Sequence, residues 1–140
     1  MIYLHAALGN YAVAKPAIDL NALGIGFADE AQFLTLARAF EDTGVSAYAG
    51  AAPLIQSKDY LAVAARILAT EAEHSGNIRL QVGLHGIATK PLDSLDVLPP
   101  PSGTEFFSVN ERALVLTRSI EEVLDIVNPF FPNGLNGKIH

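Results

Sequence analysis

Two amphipathic stretches joined by a short turn constrain the fold of this chain more than anything else in its sequence. Asp29, with Gln32 three residues on, has the spacing of a reciprocal N-terminal cap, and the apolar period that follows predicts a helix over residues 30–50, stopped before Pro53. Ser57 can cap a second helix over residues 58–82. The connection between them, residues 51–56, is too short for anything but a reversal, so the two helices should pack as an antiparallel hairpin.

Both helices carry a carboxylate where an apolar residue would be expected. One and two turns from Glu41 stand Leu34, Ala37, Val45 and Tyr48, and around Glu71 stand Ala64, Ile67, Ser75 and Ile78. Glu71 and His74, three apart, project from one face. The inward stripe of the second helix reads Tyr60, Leu61, Ala64, Ala65, Ile67, Leu68, Glu71, His74 and Ile78, with Arg66, Glu73, Asn77 and Gln81 largely opposite. A buried, unpaired carboxylate costs several kcal/mol, so Glu41 and Glu71 need a cation, a proton or a hydrogen-bond network.

The 140 residues suit one domain, and half of them are hydrophobic, with a mean hydropathy of +0.28, so a core is well supplied. The formal charge is −6 and Lys and Arg form no run, which speaks against a nucleic-acid surface or an anionic-membrane patch. The absence of cysteine removes disulfides and thiolate sites, leaving carboxylate and imidazole as the strong metal ligands. The apolar stretch from Leu61 to Leu68 contains Arg66 and falls far short of the roughly 20 residues of a membrane span. The opening Met1-Ile2-Tyr3-Leu4-His5 lacks the basic leader of a signal peptide.

Outside the hairpin the expectations are looser. Residues 1–8 read as the last turns of a helix closed by Gly9, and residues 10–28 as a loop in which Gly24-x-Gly26 lacks the third glycine of a dinucleotide fingerprint. Residues 85–110 turn irregular around Pro91 and Pro99-Pro100-Pro101, and should wrap over the hairpin because Leu92, Leu95, Val97 and Leu98 need something to cover. Ser119 with Glu122 has the spacing of a capping box, predicting a short helix to about Val127. The tail, with Phe130 and Phe131, should dock. His5 and His85 read as ordinary surface or packing residues, and His140 as solvated.

Chance supplies about 0.2 Glu-x-x-His spacings in a chain with this many Glu and His, so the motif draws its weight from helical phase. Carboxylate-bridged di-iron and di-manganese bundles take one Glu from each of two helices and a Glu-x-x-His from each of the other two. This chain offers one of each: Glu41, then Glu71 with His74. Glu73, on the polar face, is the solvated control. The competing reading is a buried hydrogen-bond network drawing in Tyr48 or Arg79.

The stretch from Ala39-Phe40-Glu41-Asp42-Thr43-Gly44 to Tyr48, together with Ile67-Leu68-Ala69-Thr70-Glu71-Ala72-Glu73-His74, resembles the ferritin-like domain of the desiccation-related protein family. The tail Phe130-Phe131-Pro132-Asn133-Gly134-Leu135-Asn136-Gly137, with Thr117-Arg118 before it, is similar to that family's C-terminal end. The resemblance implies a four-helix bundle whose third and fourth helices are the two long ones here, with Glu41, Glu71 and His74 at ligand positions for iron or manganese.

It also implies two earlier helices, carrying the other Glu and the other Glu-x-x-His, that this chain does not contain. The expectation is therefore an all-α, ferritin-like bundle without its first two helices, a fragment or late-started member of a stress-associated family holding half of a di-metal site. The first alternative is a homo-oligomer that completes the site in trans, with oxidase or peroxide-handling activity. The second is a metal-free structural or protective protein. Either the missing helices or a second copy would cover the open face of the hairpin. Relatives with a leader upstream would be exported.

Overall fold

In the computed structural model, residues 9–11, 14–22, 24 and 28–134 are described, and helix is the dominant element among them. Helix α1 spans Glu30–Ala51, a 3-10 turn Ala52–Leu54 reverses the chain, α2 spans Lys58–Leu84, and a short α3 spans Ile120–Val127. No strand occurs among the described residues; Val109 and Val115 form an isolated antiparallel bridge. The expected helix over residues 1–8 lies outside the described residues, as do His5 and His140.

The caps act as the sequence predicts. The Asp29 carboxylate accepts from the Gln32 amide at 2.8 Å and from its side chain at 3.3 Å. Ser57 receives Tyr60 N–H at the start of α2. Ser119 and Glu122 form the full reciprocal capping box, at 3.3 and 2.7 Å. Gly83 does not end α2. A Cβ there would come within 2.9 Å of the Phe106 ring, so the bare backbone is a seat for that aromatic. Gly86, at φ +62°, closes the helix instead, with Ile87 N–H reaching back to Val82 C=O at 3.0 Å.

The buried stripes of α1 and α2 are rotated away from the ones read in the sequence. On α1 the residues removed from water are Leu34, Leu36, Arg38, Asp42, Thr43, Val45 and Ser46. On α2 they are Ala64, Ser75, Arg79 and Val82, while Tyr60, Leu61, Ala65 and His74 are exposed. The segment following α2 causes the rotation: it packs along the Asp42 and Arg79 side of the hairpin, and among the described residues no helix covers the Glu41 and His74 side. Leu34 and Val45, expected on an open face, are thereby buried.

Residues 85–118 do wrap the hairpin, but arginines hold them more than leucines do. Arg79, fully buried, donates to the carbonyls of Val97 and Glu105, both at 2.7 Å, and of Phe106 at 3.1 Å. Arg38 donates to Lys90 C=O at 3.3 Å and pairs with Asp96 at 2.6 Å. Arg118 forks onto both oxygens of Asp93, at 2.7 and 2.8 Å, and reaches Ser46 Oγ at 2.8 Å. Asp42 ties the arrangement to both helices, lying 2.9 Å from Arg38 Nε as an ion pair and accepting from Arg79 at 2.8 Å and Ser75 Oγ at 2.6 Å. The tail docks through Phe130, whose ring lies 4.8 Å from that of Phe40.

Arg118 holds the Asp93 carboxyl below its usual range, chiefly by direct hydrogen bonding and against the opposing effect of burial. A depressed carboxylate adds stability that is present above its unfolded value of 3.8 and lost as the pH falls through the lowered folded value. In thermal melts recorded from pH 7 down to pH 2.5, Asp93→Asn should be less stable than the parent at neutral pH, and the gap should close below pH 3.8. A gap that stays constant with pH would mean that the charge of Asp93 does not anchor the segment.

Candidate metal centre

Glu41 and Asp42 are neighbours in sequence and face opposite fates. A residue step of about 100° on a helix sends Asp42 into the arginine network and leaves Glu41 on the open side. There Glu41 meets Glu71 and His74 of α2: one donor atom from each of the three lies within 4.8 Å of the others. The Glu41 and His74 side chains keep 26% and 57% of their exposure, so the cluster is a half-open face of the hairpin, not a sealed interior. The three residues that the sequence put on one helical face do lie together, but nearer the surface than it placed them.

Glu71 reaches across to α1 at Gly44, where a Cβ would sit 3.5 Å from its Oε2. Glycine is a poor residue for a helix interior, and here it leaves the carboxylate room against the backbone. Tyr48, two turns beyond Glu41, is half-buried; burial, and secondarily the charge of Glu71, push its phenol above the usual range. Tyr48 thus joins this face, whereas Arg79, the other residue considered for it, belongs to the Asp42 network. Glu73 is exposed, and His85 stands at the surface 3.5 Å from Glu30.

The cluster sets two carboxylates against one imidazole. Burial raises the Glu41 carboxyl above its ordinary value, the Glu71 carboxylate raises it further, and His74 pulls the other way. His74 Nδ1 approaches Glu41 Oε2 at 3.4 Å, long for a hydrogen bond, and that oxygen is buried without a hydrogen-bond partner. Two carboxylates and an imidazole around an unsatisfied oxygen form a hard, anionic donor set that suits a divalent ion such as Fe(II) or Mn(II). The residues present therefore fit the group that the sequence anticipated.

No helix among the described residues is long and apolar enough to cross a membrane. Comparison with family models matches residues 2–84 to the ferritin-like domain, a stretch that includes all of the hairpin. Neither the curated proteins nor the solved structures provide a match.

Proposed function

This chain belongs to the ferritin-like domain family, and on that footing we propose that Glu41, Glu71 and His74 hold a divalent iron or manganese ion as half of a carboxylate-bridged di-metal centre. The observation that carries the reading is the convergence of two carboxylates and an imidazole, one donor atom from each within 4.8 Å of the others, around a Glu41 oxygen whose approach to His74, at 3.4 Å, is too long for a good hydrogen bond. The resemblance of the two helices and the tail to desiccation-related proteins is what suggests a stress-associated setting for it.

The roles of the side chains follow from their positions. Glu71, lying over Gly44, is the carboxylate positioned between the helices. Glu41 holds its proton above the usual carboxylate range and must release it for a cation, so affinity should strengthen as the pH rises through that raised value. His74 brings the imidazole from the more exposed edge, and Tyr48 closes one side of the face. When bound, such metals supply redox chemistry toward oxygen, peroxide or ferrous iron.

Metal content after anaerobic Fe(II) loading tests the assignment in the parent and in Glu41→Gln, Glu71→Gln, His74→Ala and Glu73→Ala. The first three should each weaken binding by at least about tenfold, while Glu73→Ala retains the parental affinity. Equal loss in the Glu73 variant would point to adventitious surface binding. A parent that takes up no iron would favour the metal-free, protective role.

A further inference from the structure

We propose that Asp42 and Ser75, on the closed side of the hairpin, are positioning residues for the cluster on its open side: their hydrogen bond fixes how far α1 slides along α2, and with it the spacing of Glu41 from His74. The inference rests on the assignment of Glu41, Glu71 and His74 to a metal.

Its basis is a pair of adjacencies. Asp42 follows Glu41 on α1 and Ser75 follows His74 on α2, so the two helices meet twice at one level, once on each side of the hairpin. On the closed side Ser75 Oγ donates to Asp42 Oδ1 at 2.6 Å, and Arg79, about one turn further along α2, donates to Asp42 Oδ2 at 2.8 Å. A single carboxylate thus holds α2 at two points a turn apart, which sets both the slide and the rotation of one helix against the other. All three side chains are buried, so each bond is made in a medium of low dielectric, away from competing water.

The open side does not hold itself in the same way. The His74 side chain is more than half exposed, and its 3.4 Å approach to Glu41 is too long to fix either group. A slide of one residue along a helix is about 1.5 Å, whereas a metal or catalytic constellation has to be held to within about 0.5 Å. The guanidiniums that meet Asp42 also grip the carbonyls of Lys90, Val97, Glu105 and Phe106, so the segment after α2 braces the cluster from the far side of the hairpin.

Mn(II) titration of the full chain, followed by electron paramagnetic resonance, tests the proposal in the parent and in Ser75→Ala, Ser75→Thr and Ser119→Ala. Ser75→Ala leaves Arg38 and Arg79 paired with Asp42, so the chain should keep its helical circular dichroism. It should nevertheless bind Mn(II) about tenfold more weakly, with a spectrum broadened by a spread of geometries. Ser75→Thr keeps the hydroxyl, and a cavity of about 70 Å3 beside Ser75 has room for the added methyl group, so affinity and spectrum should return to those of the parent. Ser119→Ala removes the cap of α3 and controls for lost stability; it should bind like the parent. Parental affinity in a folded Ser75→Ala chain would overturn the positioning role and leave the three-residue assignment standing. An equal loss in Ser119→Ala would also overturn it, because affinity would then follow overall stability. A parent that binds no Mn(II) would overturn the assignment itself, and the inference with it.

Discussion

Asp42→Ala is expected to destabilise the protein by about 3–5 kcal/mol, the usual cost of removing one partner from a buried ion pair. Asp42 is the meeting point of two buried guanidiniums, Arg38 at 2.9 Å and Arg79 at 2.8 Å, and its other oxygen takes Ser75 Oγ at 2.6 Å. Without it, Arg79 loses its only carboxylate partner, Arg38 keeps Asp96 alone, and the buried Ser75 hydroxyl loses its acceptor. The loss is large against a total stability of roughly 5–15 kcal/mol, and should lower the melting temperature by roughly 10–20 °C. Because Arg38 and Arg79 also hold the carbonyls of Lys90, Val97, Glu105 and Phe106, the damage should spread to residues 85–118 and appear there as faster amide exchange. A loss under about 1 kcal/mol would mean that the network is solvated and does not anchor that segment.

Gly50→Ala should also destabilise, reversing the sign that helix propensity alone gives. In an exposed helix interior the change gains about 1 kcal/mol. At Gly50, however, a methyl group would overlap the backbone carbonyl oxygen of Arg118 and stand 2.9 Å from its carbonyl carbon. Backbone cannot swing aside as the end of a flexible side chain can. The strand of chain at Arg118 must retreat, straining the bond from Arg118 N–H to Ser46 C=O at 3.1 Å and the guanidinium contacts with Ser46 and Asp93. Overpacking of this kind costs about 1–3 kcal/mol. Chemical denaturation of Gly50→Ala beside the parent measures it, and a variant as stable as the parent would show that Arg118 does not lie against α1.

The elements set by local chemistry were legible in the sequence. Asp29, Ser57 and Ser119 start their helices as expected because a cap depends on residues three apart, and Pro53 ends the first helix close to where it was placed. Helical phase alone brought Glu41, Glu71 and His74 to one face. The depth of that face was not legible, since it depends on which side of the hairpin residues 85–118 choose. Arg38, Asp42 and Arg79 are among the most buried groups in the protein, and of these the sequence reading considered only Arg79 for a buried network. Their partners Asp96 and the carbonyls near Val97 lie 18 to 58 residues away in sequence. The four-residue step from Arg38 to Asp42 was a local signal, but such pairs usually sit on solvated surfaces. The role of Gly83 was not legible for a related reason: its missing side chain makes room for Phe106, a contact from a distant segment.

The central claim is that Glu41, Glu71 and His74 are metal ligands, and the most direct measurement is anomalous X-ray scattering from a crystal of the parent chain loaded with Mn(II). The account predicts a peak between these three side chains, at bonding distance from carboxylate and imidazole donors, with none at Glu73 or at the His85 and Glu30 pair. A fully loaded crystal whose anomalous peaks lie only at such surface groups, with the Glu41 oxygen still unpartnered, would contradict it.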